Sequence, residues 1–247
     1  MAFHLISKDI KSLNGSALIT FSVSSSQKEK LASIPLADLA QSLGDSIKDK
    51  VITGKRLETV FFRELNYRKF RHVVVIGLGK ESELDHENVR QVVAAAFDAA
   101  KSLHVDDAVI DFEALGANPR QIGSFAKAAA EGLVLASYSF EELKSKKKES
   151  EKTEVEILVA TPQAKDPQVK EGFADGLLIS QCVNFSRFLG DMPGNLMTPT
   201  ILAQKTQQAA RGTKIKVTVW DKARIKREKM GGLLGVSEGS DQDPRFI

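Results

Sequence analysis

The sequence has little cysteine and no strong imbalance of charge. Cys182 is the only cysteine among the 247 residues, which excludes an internal disulfide framework and fits a reducing compartment. The 35 basic and 32 acidic side chains leave a formal net charge of +3, too balanced to indicate a polyanionic partner. Two basic segments, 144–148 (KSKKK) and 222–229 (KARIKREK), leave nucleic-acid binding as an alternative. Neither is interleaved with aromatic residues for base stacking, which favours solvated surface.

Long hydrophobic runs and targeting signals are also absent. No apolar run approaches the roughly 20 residues that a helix needs to span a bilayer. The first residues, MAFHLISKDI, lack the basic region and apolar core of a secretory signal. Hydrophobic residues make up 42% and charged residues 27%, an ordinary globular composition. We therefore expect a soluble cytoplasmic protein with no membrane partner.

Residues suited to hydrolytic chemistry are few. The four histidines are His4, His72, His86 and His104, and no pair has the His-Glu-x-x-His spacing of a metal site. His72 lies on a predicted buried strand, and His86 and His104 flank a predicted helix, where capping or solvent exposure is expected. There is no Gly-x-Ser-x-Gly nucleophile elbow. Cys182 lies on the predicted apolar stripe of a helix, which favours a buried and unreactive thiol.

One glycine-rich segment has the context of a phosphate site. Gly77-Leu78-Gly79-Lys80 follows a predicted strand and precedes a predicted helix, where backbone N–H groups can meet an anion. Val74 occupies the place of the first P-loop glycine, and Ser82 that of the third glycine of the dinucleotide fingerprint. A tight turn at a strand end needs glycine in any case. The structural interpretation is preferred, and a nucleotide-type ligand stays as an alternative.

One set of acidic residues is denser than any other in the sequence. The set comprises Asp98, Asp106, Asp107 and Asp111. Adjacent carboxylates such as Asp106-Asp107 can bind a cation, but turn formation before a strand explains that pair equally well. No metal is assigned to them.

Alternating periodicities predict an α/β fold. Between residues 72 and 160 the order is strand, helix, strand, helix, strand, which indicates a largely parallel sheet. The run HVVVI at 72–76 is apolar on both faces and predicts an interior strand. Strands are expected at 4–8, 17–23, 57–63, 72–76, 107–112, 155–160 and 214–220. Helices are expected at 36–49, 89–103, 118–136, 173–189, 198 onward and 223–230. Asn118 and Pro119 suit the start of one helix, and Thr198 can cap another with Pro199 at its first position.

The last quarter of the chain carries a more specific pattern. Segment 184–199, NFSRFLGDMPGNLMTP, resembles the entry to the catalytic domain of the leucine aminopeptidase family through Pro193, Asn195, Thr198 and Pro199. Gly190-Asp191 departs from the family's usual Val-Asn pair. The likeness continues in the glycine-rich stretch MGGLLGV at 230–236, and the strand that ends in GLGK before an alanine-rich helix is similar to the family's N-terminal domain.

The resemblance, to leucine aminopeptidase (cytosol aminopeptidase, peptidase family M17), implies a domain plan. It implies a macro-like N-terminal α/β domain over residues 1–165, with a mixed, largely parallel sheet flanked by helices. A linker helix at 166–190 and the truncated start of the catalytic α/β domain at 191–247 would follow. The family releases N-terminal amino acids from peptides with two divalent metal ions, zinc or manganese, and forms hexamers.

The family's metal-binding segments do not occur in this sequence. Neither Lys-x-Ile-x-Phe-Asp-Ser-Gly-Gly nor Asn-Thr-Asp-x-Glu-Gly-Arg is present. We therefore predict no catalytic, cofactor-binding or metal-binding residue, and expect the chain to be inactive alone and to act as a scaffold for oligomerisation and access control. The alternatives are an ADP-ribose-like ligand at Gly77 to Lys80 and nucleic-acid binding. Leu233, Leu234, Phe246 and Ile247 are expected to be poorly buried.

Overall fold

The computed structural model describes residues 2–24, 36–144 and 155–247. The chain divides into two units, Met1–Asn184 and Phe185–Ile247. The domain boundaries expected near residues 165 and 190 stay predictions.

A mixed sheet forms the centre of the first unit. Within the described residues its six strands are β1 (Phe3–Ile6), β2 (Gly15–Ser24), β3 (Thr59–Phe62), β4 (Phe70–Lys80), β5 (Asp107–Asp111) and β6 (Glu156–Ala160). Their order across the sheet is β1-β6-β5-β2-β4-β3. Every neighbouring pair is parallel except β3 and β4, which are antiparallel. The prediction of an α/β fold with a mixed, largely parallel sheet is confirmed.

Helices connect the strands and continue into the second unit. In the first unit they are α1 (Ala37–Ser42), α2 (Gly44–Lys48), α3 (His86–Ser102), α4 (Ile122–Ala136) and α5 (Pro167–Asp191), the last of which crosses the division. The second unit contains α6 (Pro199–Ala210), α7 (Lys222–Arg227) and α8 (Gly231–Ser237). Short 3-10 turns lie at Ile10–Ser12, Glu81–Glu83 and Glu113–Leu115.

Strand β4 is apolar on both faces because both faces are covered. Val74 and Ile76 pack into one buried cluster with α3 and α4. Val73 and Val75 pack into a second cluster with α1 and α2 on the opposite face. The interior position expected for this strand is confirmed, since it lies between β2 and β3.

Helix α5 is buried through Val169 and Phe173 near its start and through small residues further along. A Cβ at Gly172 would lie 2.1 Å from the Gly123 carbonyl oxygen, and one at Gly176 would lie 2.4 Å from the Lys127 carbonyl oxygen. Only glycine allows the backbones of α4 and α5 to approach this closely. The buried positions of α5 are Val169, Phe173, Gly176 and Ser180. Of the other hydrophobic residues on this helix, Leu178, Ile179, Val183 and Phe185 are exposed, whereas Leu177, Phe188 and Leu189 are half-buried.

The start of α4 also differs from the prediction. Asn118 and Pro119 do not begin the helix, which starts at Ile122. The Asn118 side chain instead accepts hydrogen bonds from the backbone N–H groups of Arg120 (3.0 Å) and Gln121 (3.1 Å). This local turn competes with helical geometry and delays the first helical residue.

The strand predicted at 214–220 is wrong for this structure. Within the described residues of this segment only Trp220 pairs, in an antiparallel bridge with Phe246, and Ile215 is 68% exposed. A strand persists when a neighbour accepts its backbone hydrogen bonds, and no such neighbour lies beside 215–219 within residues 185–247. The alternation of side chains was therefore insufficient to define an element.

The second unit buries little apolar surface. Among its hydrophobic residues only Ala203 and Ile225 are buried. Leu233 and Leu234 are half-buried, while Phe246 and Ile247 are exposed, so the expected poor burial of these four is confirmed. No helix in the described ranges is both long and apolar enough to cross a membrane.

Candidate functional sites

Two histidines, His72 and His86, contact neighbouring parts of the first unit in ways that indicate structural roles. His72 is buried in β4, and its Nδ1 accepts a hydrogen bond from the Glu64 backbone N–H at 3.2 Å. His86 is the first residue of α3, with its ring 6.0 Å from the Phe125 ring in an edge-on arrangement. The expectation of a structural role for His72 agrees with its burial and with its backbone contact.

The other two histidines lie at the surface. His4 on β1 is 3.5 Å from the Glu156 carboxylate. His104 follows α3 with a positive φ of 54°. Across residues 2–24, 36–144 and 155–247, no three His, Cys, Asp or Glu side chains are grouped so that they could hold a metal ion.

The glycine-rich segment is part of β4 and not a phosphate-binding turn. The Gly77 N–H donates to the Glu58 carbonyl (2.8 Å), and the Gly79 N–H donates to the Gly54 carbonyl (2.9 Å). A Cβ at Gly77 would lie 1.9 Å from the Lys55 carbonyl oxygen, and Gly79 has a φ of +81°. The glycines therefore accommodate a crossing loop, and two of the amides that an anion would need are already used.

The lysine that ends this segment is paired as well. Lys80 Nζ lies 2.8 Å from the Glu83 carboxylate, which raises the pKa of Lys80 through their hydrogen bond and charge attraction. The expectation that the GLGK segment follows its strand is wrong, because β4 continues through Lys80. This geometry counts against the nucleotide alternative at this position.

The acidic residues singled out in the sequence are spread over the sheet. Asp107 begins β5 and accepts the Ser16 hydroxyl at 2.6 Å, whereas Asp111 ends the same strand. At about 3.3 Å per residue the two ends lie roughly 13 Å apart. Asp98 and Asp106 are exposed, on α3 and just before β5. The structure does not bring these four carboxylates together.

Asp111 stands out from this set because it is buried. Its side chain is 2% exposed, and its Oδ2 accepts the Thr20 hydroxyl at 3.2 Å. Its Oδ1 accepts the Ala114 backbone N–H at 3.4 Å. Burial raises the pKa of Asp111 to about 6, against the lowering effect of these hydrogen bonds.

Two surface grooves lie at opposite ends of the strands of the sheet. One, of about 540 Å³, follows the carboxyl ends of β1, β5 and β6 and includes Asp111 in its lining. The other, of about 500 Å³, lies at the amino ends and is lined by Asp106, Asp107, His72 and His104, among others. Sequence reasoning did not identify the first groove; the polar Asp111 at the end of an apolar strand was the available signal.

Cys182 is exposed, so the prediction of a buried thiol is wrong. Nearby on the same helix, Ile179 and Val183 are each 42% exposed, and Leu178 is 61% exposed. The helix turns its small residues, and not this apolar stripe, towards α4.

The basic segments have acidic neighbours where they are described. In α7, Lys222 lies 4.0 Å from Asp243, and Arg224 lies 3.7 Å from Glu228. The Arg224 guanidinium is 4.6 Å from the centre of the Trp220 ring. Segment 144–148 lies outside the described residues except for Lys144, which pairs with a nearby glutamate at 2.7 Å. The expectation that nucleic acid is not a partner of this chain remains a prediction.

The segment that carries the family-like pattern forms a capped helix. The Thr198 hydroxyl accepts the Ile201 N–H at 3.4 Å, and Pro199 occupies the first turn of α6, as predicted. Trp220 and Phe246 have ring centres 5.0 Å apart, beside their backbone bridge. The glycine-rich stretch forms α8.

Comparison with protein families identifies both parts of the chain. A model described as the N-terminal domain of the cytosol aminopeptidase family matches residues 17–147. The catalytic-domain model of the same family matches residues 184–247.

Relatives share the same description. A probable cytosol aminopeptidase of Bdellovibrio bacteriovorus is 53% identical over 248 residues, covering 100% of this chain and 49% of the relative. Another, from Roseiflexus castenholzii, is 32% identical over 210 residues, covering 85% of this chain and 43% of the relative. The chain thus spans about half the length of the curated relatives it matches.

Solved structures share the fold. A mutant tomato leucine aminopeptidase has a TM-score of 0.82 at 20% identity, covering 99% of this chain and 49% of that chain. The bottromycin maturation enzyme BotP in complex with Mn has a TM-score of 0.70 at 21% identity, covering 94% of this chain and 44% of that chain.

Proposed function

Because the chain belongs to the cytosol aminopeptidase family, we propose that it forms the N-terminal part of a metal-dependent aminopeptidase that releases N-terminal amino acids from peptides. The observation that carries this proposal is the order of the two family matches, N-terminal domain first and catalytic domain second. The similarity to the Bdellovibrio bacteriovorus relative across the whole chain supports the same conclusion.

The residues of this chain do not fit the two divalent metal ions that the family implies. No three potential ligand side chains converge in the part of the chain that the structure describes, and the family's ligand segments do not occur in the sequence. Zinc or manganese is therefore proposed for the complete enzyme only, with support from the Mn complex of BotP. No step of peptide hydrolysis is assigned to a residue of this chain.

The proposed role of the chain is a scaffold for oligomerisation that also restricts access to the catalytic centre. The first unit contains both large apolar clusters, so it can provide a rigid body on which a larger assembly is built. A cytoplasmic homo-oligomer, a hexamer by family resemblance, is proposed for the complete enzyme, with peptides as its substrates.

Hydrolysis of a leucyl-anilide tests the proposed division of labour. The purified 247-residue chain, with added manganese or zinc, is expected to show no turnover above the metal-only blank. The full-length Bdellovibrio bacteriovorus relative serves as the positive control under the same conditions. Metal-stimulated turnover by the pure chain would contradict the assignment of the chemistry to residues outside it.

Sedimentation velocity tests the scaffold role separately. We expect the chain to sediment as a concentration-dependent oligomer, because the proposed function places subunit contacts within it. A single monomeric species across a hundredfold range of protein concentration would count against the scaffold role and leave the family assignment unchanged.

A further inference from the structure

The groove at the carboxyl ends of β1, β5 and β6 lies beside the place where the chain reverses its direction of winding. After β2 the chain passes through α1 and α2 on one face, reaches the edge strand β3 and returns antiparallel to it as β4, so that β3 and β4 both lie on one side of β2. After β5 it passes through α4 on the other face and reaches β6 on the other side. The adjacent strands β2 and β5 therefore form a topological switch point, the place where open α/β sheets bind ligands outside their carboxyl ends.

A buried acceptor lies at this switch point. Asp111 ends β5 and hydrogen-bonds to Thr20 of β2, so its carboxylate joins the two strands that define the reversal. A carboxylate can accept about four hydrogen bonds, and within the described residues Asp111 receives one from Thr20, a long one from Ala114 and a backbone interaction from Glu113. Acceptor capacity therefore remains for a donor that enters the groove.

The charges along the groove have two signs. Glu113 lines the groove beside Asp111, and the exposed Lys8 and Lys11 line it from the segment that follows β1. Asp38 and Arg68 also line it, but they form an ion pair with each other. The Tyr67 hydroxyl and the Arg68 guanidinium beside Asp38 hold the pKa of that carboxyl below its usual value.

Pairing of Asp38 with Arg68 leaves three carboxylates and two ammonium groups along the groove, and one of these carboxylates, Asp9, already accepts the Lys11 backbone N–H at 2.8 Å. An ammonium group suits Asp111 and Glu113, and a carboxylate suits Lys8 and Lys11. Ile10, Leu36, Ala160 and Pro162 supply apolar wall between these groups.

The size of the groove favours more than a single ion. Its volume is about 540 Å³, within the roughly 300–1,000 Å³ of small-molecule sites. A molecule with charged ends and apolar side chains matches this volume and both charge pairs.

We propose that this groove binds a short peptide with free termini, with its ammonium group towards Asp111 and Glu113 and its carboxylate towards Lys8 and Lys11. If the proposed function holds, occupancy of the groove reports the concentration of substrate or product peptides; the binding itself does not depend on that function.

Calorimetric titration of the metal-free 247-residue chain with leucyl-leucine tests the proposal. Saturable binding of one equivalent is expected, and N-acetyl-leucyl-leucine amide, in which both charges are removed, is expected not to bind. Equal binding of the blocked peptide, or no binding of leucyl-leucine, would overturn the proposal. ADP-ribose is titrated in parallel, and its displacement of leucyl-leucine would assign the groove to nucleotides instead.

Variants locate the site. Asp111→Asn is expected to weaken binding about tenfold, the effect of losing one charged hydrogen bond. The double variant Lys8→Ala with Lys11→Ala is expected to weaken it to a similar degree, and these exposed lysines are not part of the core. Lys101→Ala, an exposed lysine on α3 on the opposite face of the sheet, is the matched control. Unchanged affinity in both groove variants would refute the location.

Failure of this proposal is distinguishable from failure of the proposed function. The titration uses no metal and measures no hydrolysis, so an absence of binding leaves the leucyl-anilide result as it stands. Conversely, hydrolysis by the chain would remove the proposed division of labour without affecting a measured affinity at Asp111.

Discussion

Asp111 shows how one buried charge makes stability depend on pH. Burial raises its pKa to about 6, whereas an aspartate in an unfolded chain ionises near pH 4. Between these values the unfolded chain has lost the proton that the native state still holds. The free energy of unfolding therefore falls as pH rises from about 4 to 6 and changes no further above that window on account of this group.

Asp111→Asn should remove this dependence. Ionising Asp111 in the native state costs about 3 kcal/mol more than in the unfolded chain, since one pKa unit is about 1.4 kcal/mol. Allowing for altered hydrogen bonds, we expect the variant to gain about 1–2 kcal/mol at pH 7 and nothing at pH 4. Urea unfolding at pH 4, 5, 6 and 7 measures the difference. The exposed Asp106→Asn is the control, and equal pH slopes for Asp111→Asn and wild type would disprove the assignment.

Cys182 makes a second prediction at the scale of one residue. Because its side chain is exposed, a thiol reagent should label the native chain to one equivalent at the rate found in urea. Cys182→Ser gives the background. Protection in the native chain, lost on dilution, would mean that a second copy covers this face of α5; protection at every concentration would contradict the exposure.

Helix α5 is an element whose packing depends on the absence of side chains. At Gly176 an added Cβ would lie 2.4 Å from the Lys127 carbonyl oxygen and 2.8 Å from the Ala130 Cβ. Since the first neighbour is backbone, the helices must separate, and we expect Gly176→Ala to cost about 1–3 kcal/mol.

Gly190 provides the matched control in the same helix. No atom lies within 4 Å of the Cβ that Gly190→Ala would add. That substitution should be neutral or stabilise by up to about 1 kcal/mol, because alanine is the better helix former. Thermal unfolding of the two variants compares them directly. A similar melting temperature for both would show that the close approach of α4 and α5 is not needed.

At the scale of the whole molecule, the two units differ in how much of each is packed around an apolar core. Both large apolar clusters belong to the first unit, whereas only Ala203 and Ile225 are buried hydrophobic residues in the second. Local opening costs least where few apolar contacts are lost. We expect amide hydrogens of α6, α7 and α8 to exchange with deuterium at least tenfold faster than those of α3, α4 and β4. Equal protection of both units would contradict this.

Features that depend on residues close together in the sequence could be predicted, whereas features that depend on contacts between distant segments could not. The interior strand at His72 to Ile76 and the cap at Thr198 were recognisable because each depends on near neighbours or on an apolar run. The prediction of a strand at 214–220 was wrong, because alternation of apolar and polar side chains does not by itself supply a partner strand. The Asn118 turn was missed because its side chain bonds local backbone where a helix start was expected.

The sequence by itself determined the family likeness, the α/β class and the absence of the family's metal-binding segments, since these depend on local order and composition. Only the tertiary structure decided that Gly77 and Gly79 accommodate a crossing loop, and that α5 leaves Cys182 exposed. It alone placed Asp111 beside Thr20 at the edge of the sheet, 91 positions away in the chain. Such contacts form between distant segments, and one sequence does not specify in advance which of its segments will meet.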